Sequence, residues 1–323
     1  MRNHCRGLVL LCILNGCSTS GPSGSSTVYR DEMRSFVESI SIWAKTEAPG
    51  FLILPQNGSE LFTADGEPGG QPVSQYLDAI DGTGREDLFF GALSDDTQTP
   101  PSETLWMSAF LDIGEAHGIS ALVTDYCSTT WKVDSSYSWN ADAGYISFAA
   151  DHRALDNIPA YPVEPFNVSS DDILSLATAR NFLYLINPAG YPSKDSLLTA
   201  LAQTDYDVLI IDLFFEEEQI TSPELSSLRV KSNGGSRLVL AYMSIGEAED
   251  YRYYWQPGWF KDPPGWMGAE NPEWEGNYAV EYWNSDWQDI IFGSADSYLG
   301  RILATGFDGV YLDKIDAFEY WEQ

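Results

Sequence analysis

Acidic and amide side chains recur where the apolar runs of this sequence end. Gln56 and Asn57 follow FLILP, Asp81 and Glu86 stand in and just beyond YLDAIDG, and Asp125 and Tyr126 close the run that begins SALV. Asn187 ends FLYLIN, Asp212 follows DVLII, Glu247 and Glu249 follow RLVLAYMSI, and Asp313 and Asp316 end GVYLDKID. Carboxylates with hardly a histidine among them suit glycoside hydrolysis, which needs one carboxyl ionised and another kept protonated. Crowding helps, because negative charge beside a carboxyl raises its pKa. Each position also has an ordinary structural use. An Asp at a strand end caps a helix or takes a loop amide, Asn57-Gly58 is a turn pair, and the Glu216 to Glu218 run is a solvated face. Metal binding is the rival use of such a cluster, but no DxDxDG-type spacing is present. No metal and no other cofactor is expected.

A second resource lies between residues 251 and 284. Tyr251, Tyr253, Tyr254, Trp255, Trp259, Trp266, Trp274, Tyr278, Tyr282 and Trp283 crowd into this one stretch. Flat rings with polar tips stack on sugar faces and hydrogen-bond hydroxyls, although a loop packing on itself would use some of them. Cys127, with only His117 and His152 as conceivable imidazole partners, is expected to be a buried thiol rather than a nucleophile.

These residues need a frame. Runs at 51–57, 76–82, 120–127, 144–151, 182–187, 207–214, 237–245 and 309–316 are apolar enough for parallel strands covered on both faces. Helices are predicted over 31–46 and 103–117, and from Ser222-Pro223-Glu224. A further helix is predicted over 286–304, where Ser285 would cap and Gly306 would close it. Alternating strands and helices argue for a single-domain (β/α)8 TIM barrel over 31–323, in which strand C-termini face the active site. A doubly wound open sheet is the alternative, but no Gly-rich phosphate loop follows any strand. Residues 251–284 read as a long irregular insertion on the site-building side.

The bulk numbers narrow the partners. Among 323 residues, 48 Asp and Glu face 17 Lys and Arg, a formal charge of −31. Such a surface repels nucleic acid and favours cationic partners, so no nucleic-acid role is expected. Salt adaptation would produce the same charge. At the N-terminus, Arg2 and Arg6 precede a short apolar stretch from Leu8 to Leu14, and Gly16-Cys17 follows. That reads as a signal peptide over 1–16 and a lipidated Cys17, with a flexible tether over 17–30. A plain secretory signal is the alternative. The expectation is a monomer, exported and lipid-anchored to the cell envelope, which meets the membrane through the anchor alone.

Five blocks carry a resemblance: YMSIGEAEDYRYYW, NPEWEGNYAVEYWNSDWQDII, GFDGVYLDKIDAFEYW, FLILPQNGSELF and IDGTGREDLFF. Together they resemble the endo-alpha-1,4-polygalactosaminidase-related family of extracellular polysaccharide hydrolases, across nearly the whole body of the chain. The resemblance implies a (β/α)8 barrel and a retaining mechanism, with Asp313 as nucleophile (Asp316 being the rival) and Glu86 as acid/base. Asp316, Glu247, Glu249, Asp125, Tyr126, Tyr242, Gln56, Asn57, Asp212, Trp255 and Trp283 would bind the polysaccharide, in one version a cationic amino-sugar polymer. A carbohydrate-binding surface lipoprotein without turnover is the alternative. The block order is reversed relative to the family, which implies a circular permutation cut after the strand carrying Asp313. In family order that strand is the fourth and the strand of Glu86 the sixth. Permutation predicts that residues 317–323 lie near residues 28–35.

Overall fold

A computed structural model describes residues 26–322. The segment expected to be a signal peptide, and Cys17, lie outside them. The chain is a mixed α/β structure with parallel sheets. Eight parallel strands are β1 (Leu52–Pro55), β2 (Gly82–Glu86), β3 (Ser120–Tyr126), β4 (Ile146–Ala150), β5 (Phe182–Leu185), β6 (Val208–Ile211), β7 (Leu238–Ser244) and β8 (Gly309–Asp313). One sheet runs β1-β8-β7-β6-β5 and another β2-β3-β4. Two isolated parallel bridges connect their edges: Gln56 with Gly84 beside β1 and β2, and Ser147 with Asn181 beside β4 and β5. Every one of the eight strands therefore has a parallel neighbour on both sides, by ladder or by bridge. Val208 to Ile211 and Leu238 to Ser244 are buried throughout, as strands covered on both faces must be.

Helices cover the strands. They are α1 (Ser26–Glu47), α2 (Ser74–Ala79), α3 (Pro101–Ala116), α4 (Thr130–Ala143), α5 (Lys194–Ala202), α6 (Ser222–Leu228), α7 (Ser285–Ile291), α8 (Tyr298–Thr305) and the short α9 (Phe318–Trp321). Met33, Phe36, Val37, Ile40 and Ala44 of α1 form one fully buried stripe, each large side chain contributing about 2 kcal/mol of burial. The helix takes in residues 26–30, which the tether was expected to occupy. Its start meets the other end of the chain. Arg30 pairs with Glu322 at 3.1 Å and lies over the Phe318 ring, and Tyr29 packs near Trp321.

Two expected elements differ. Residues 76–82 are not a strand: α2 takes Tyr76 and Leu77, both buried, and β2 starts only at Gly82. Tyr76, Leu77 and Ile80 are spaced to share one helical face, and a short apolar run does not distinguish the two structures. The long helix expected over 286–304 is two. Asn284, rather than Ser285, caps α7, and Gly293 at φ 99° breaks the chain. Ser297 then caps α8, and Gly306 ends it in the left-handed region as expected. The stretch 251–284 is less irregular than expected. Strands Met267–Glu270 and Asn277–Val280 pair antiparallel, and the second also pairs with Glu247–Glu249.

Candidate active site

A cleft of about 260 Å³ opens where the parallel strands end. Phenol rings buried between the strands lie beneath it. Tyr184 of β5 packs edge-on to Tyr311 of β8 at 5.1 Å, and its hydroxyl donates to Gln56 Oε1 at 2.8 Å. Gly84 is required here, since a Cβ at that position would sit 1.9 Å from the Tyr311 oxygen. Gly246 is required for a similar reason. Its Cβ would meet the Lys314 carbonyl at 2.2 Å, where the exit from β8 passes against the turn after β7.

Asp313 ends β8 and Glu86 ends β2, the two strands that flank β1. Strands two apart lie about 10 Å from each other, and both side chains line the same cleft. Asp313 Oδ2 accepts from the Tyr242 hydroxyl at 2.6 Å, and its Oδ1 from the Lys314 amide at 2.7 Å. Burial raises the Asp313 pKa to about 7. Lys314 and the Tyr242 hydrogen bond oppose that rise, while the charges of Glu86 and Asp316 add to it. Glu86 accepts from Asn57 Nδ2 at 2.8 Å and from the Tyr126 hydroxyl. Asn57 Oδ1 takes the Glu86 amide in return, at 3.2 Å. The Asn57-Gly58 pair is thus a turn, with both residues at positive φ, and also the mount for Glu86.

The other cleft carboxylates are mostly paired. Arg252 bridges Asp212 and Glu249 at 2.6 Å each. Burial works against its charge, yet these two partners hold the guanidinium well above its usual pKa. Glu247 takes Lys314 Nζ at 3.2 Å and Asn271 Nδ2 at 2.8 Å. Asp316 lines the cleft without any side-chain hydrogen bond among the described residues. Tyr251, half exposed, donates to Glu249 Oε1, and Trp274, also half exposed, stands on the loop between the antiparallel strands.

Residues 182–323 match glycoside-hydrolase family GH114. That stretch contributes β5 to β8 and with them Asp212, Tyr242, Glu247, Glu249, Asp313 and Asp316 to the cleft. Among similar curated proteins, an uncharacterized protein of Methanocaldococcus jannaschii is 38% identical over 181 residues, covering 55% of this chain and 49% of that one. An uncharacterized protein of Thermotoga maritima is 41% identical over 124 residues, 38% of this chain and 36% of its own. One of Deinococcus radiodurans is 38% identical over 122 residues, 38% of this chain and 37% of its own. The chain spans half or less of the length of these relatives.

Ten of the thirteen catalytic and sugar-binding candidates line the cleft: Gln56, Asn57, Glu86, Tyr126, Asp212, Tyr242, Glu247, Glu249, Asp313 and Asp316. Three do not. Asp125 is wholly buried on the face of β3 opposite Tyr126, where it accepts from the Phe89 and Phe90 amides, Ser136 and Asn140. The two-residue period of a strand allows only one of two neighbours to face the cleft. Trp255 packs on Trp259, Phe260 and Tyr278, and Trp283 on Tyr29, Tyr282 and Trp321. The cations Arg153, Arg252 and Lys314, and the ring Tyr184, line it without having been singled out, while Tyr251 and Trp274 of the aromatic stretch line it too. The i,i+3 spacing of Glu249 and Arg252 and the adjacency of Asp313 and Lys314 were the available signals, because buried carboxylates require counter-charges. Among the described residues, no group of three or more His, Cys, Asp or Glu side chains is arranged to hold a metal ion.

Proposed function

We propose that the protein is a retaining endo-acting glycoside hydrolase that cleaves a polysaccharide, an α-1,4-linked galactosamine-containing polymer being the first candidate. The observation that carries this reading is the pairing in one cleft of Asp313 and Glu86, each gripped by its own donors. The match to a glycoside-hydrolase family over the Asp313 half supports it. Asp313, its charge favoured by the Tyr242 hydroxyl and the Lys314 amide, attacks the anomeric carbon. Glu86 protonates the leaving oxygen, then takes the proton of the water that releases the glycosyl group. Tyr251 and Trp274 offer ring faces to the sugar.

The eight-strand circuit is read as a (β/α)8 barrel entered at a permuted point. Support comes from the two edge bridges and from the meeting of Arg30 with Glu322. Export and anchoring through Cys17 belong to the same proposal, and radiolabelled fatty acid incorporated by wild type but not by Cys17→Ser tests them. The catalytic reading is tested with galactosamine polymers. Wild type is expected to release reducing ends, the first-formed anomer by NMR having the configuration of the substrate. Asp313→Asn and Glu86→Gln should each lose at least about 10³-fold in rate. Binding by wild type without cleavage of any such polymer would refute turnover and favour a carbohydrate-binding lipoprotein.

A further inference from the structure

A second cavity, of about 170 Å³, lies on the other side of Glu86. Asn57, Glu86 and Asp316 form the wall that it shares with the main cleft. Gly58, Glu60, Arg85, Asp87 and Glu319 complete it. Asp87 pairs with Arg153 at 2.6 Å and Glu86 is held by Asn57 and Tyr126, but the other charged groups are left open. Glu60, Arg85, Asp316 and Glu319 have no side-chain hydrogen bond and no ion pair among the described residues, and Arg85 Nε is buried without a partner. Arg85 feels Glu60, Asp87, Glu86 and Asp316 electrostatically, yet closes on none of them. Buried polar groups are ordinarily satisfied. Acceptors and a donor around a shared void can be satisfied together by a hydroxylated ligand, whose hydroxyls both donate and accept.

The lining also indicates the side of the reaction. Glu86 is present in this wall, whereas Asp313 and Tyr242 are not. In a retaining glycosidase the acid faces the leaving group, while the nucleophile faces the unit that stays bound. We propose that this cavity is the leaving-group subsite, taking one sugar unit whose hydroxyl oxygens accept from Arg85 and whose hydroxyl protons go to Glu60, Asp316 and Glu319. This rests on the assignment of Glu86 as acid/base. The site has no aromatic wall, so its recognition is by hydrogen bonds, and the excess of carboxylates favours a unit that carries an ammonium group.

The test compares two kinds of substrate that present an α-galactosaminyl unit to Asp313 with different leaving groups: α-1,4-linked galactosamine oligomers, which leave a sugar, and the 4-nitrophenyl glycoside of galactosamine, which leaves nitrophenol. Arg85→Met is expected to lower kcat/KM on the oligomers at least tenfold and to leave the nitrophenyl glycoside within about twofold. Glu60→Gln should shift the same ratio in the same direction, and it serves alone if Arg85→Met does not fold. Equal losses on both substrates would assign the two residues to structure, and no loss on either would make the cavity a water pocket. Each of those results overturns the proposal. If wild type cleaves neither substrate, the catalytic reading fails by itself. Calorimetric binding of a galactosamine trimer then decides the subsite: weakening of at least tenfold in Arg85→Met supports it, and unchanged affinity overturns it.

Discussion

Replacing Asp313 by asparagine is expected to destroy turnover and to stabilise the fold, by an amount that depends on pH. The Asp313 pKa rises from 3.8 to about 7, chiefly by burial. The folded protein therefore holds this proton more tightly than the unfolded chain does. The stability that comes with the protonated form is complete below about pH 4 and is lost as the pH rises toward 7. A displacement of roughly three units, at about 1.4 kcal/mol each, gives an upper bound of about 4 kcal/mol at pH 8. By the same relation the difference falls to about 2 kcal/mol at pH 5 and below about 1 kcal/mol at pH 4. The asparagine side chain carries no charge and escapes the effect. The altered hydrogen bonding to Tyr242 costs about 1 kcal/mol at every pH and cancels when two pH values are compared. Thermal melts of wild type and Asp313→Asn at pH 5 and pH 8 read the difference. The Tm gap should widen by several degrees in favour of the variant at pH 8. An equal gap at both values, or a variant less stable at pH 8 than at pH 5 relative to wild type, would refute the account of a buried carboxyl that the fold keeps protonated.

Tyr242→Phe removes the hydroxyl that favours the ionised Asp313. The acidic limb of the kcat/KM profile should then move up by roughly half to one pH unit, with a loss of rate of about threefold to tenfold at pH 6. Arg252→Met leaves Asp212 and Glu249 buried without their shared cation, and urea melts should show a loss of about 3–5 kcal/mol. Trp274→Ala removes a half-exposed ring at the cleft mouth. Initial-rate kinetics should show KM raised about tenfold with kcat within about twofold, the pattern of lost uniform binding.

What the sequence made legible follows the range of the physics involved. Strand ends marked the cleft because parallel strands deliver their C-terminal residues to one side, and this holds whatever the loops do. Asp313, Asp212, Glu86 and Gln56 were therefore visible as neighbours in space while far apart in the chain. Facing was harder to read. Asp125 and Tyr126 are adjacent in sequence, and their roles were separated only by the phase of β3, which Ser136 and Asn140 of α4 fix from behind. The aromatic stretch failed for a related reason. Composition counts rings but does not say which of them pack on each other. Trp255 and Trp283 spend their faces on neighbouring rings, whereas Trp274, in the turn between two antiparallel strands, keeps its face free.

The cations were the least legible part, and they bear most on the chemistry. With 17 basic residues against 48 acidic ones, each Lys or Arg that enters the cleft decides which carboxylates remain available. Arg252 occupies Asp212 and Glu249, and Lys314 occupies Glu247. The carboxylates left without a cation within pairing distance are Glu86, Asp313 and Asp316. Two of these three are held by neutral donors, Asn57 and Tyr126 on one and Tyr242 on the other. Neutral donors orient a carboxylate without fixing its charge, as a guanidinium would. In the proposed mechanism Glu86 has to lose and regain a proton within each cycle while Asp313 forms and breaks a covalent bond, so the absence of a strong ion pair on either suits the roles proposed for them. The remaining carboxylate, Asp316, has no cation or side-chain hydrogen-bond partner among the described residues and stands in the wall between the two cavities, a position from which, under the proposed function, it would meet the sugar on both sides of the bond to be cut.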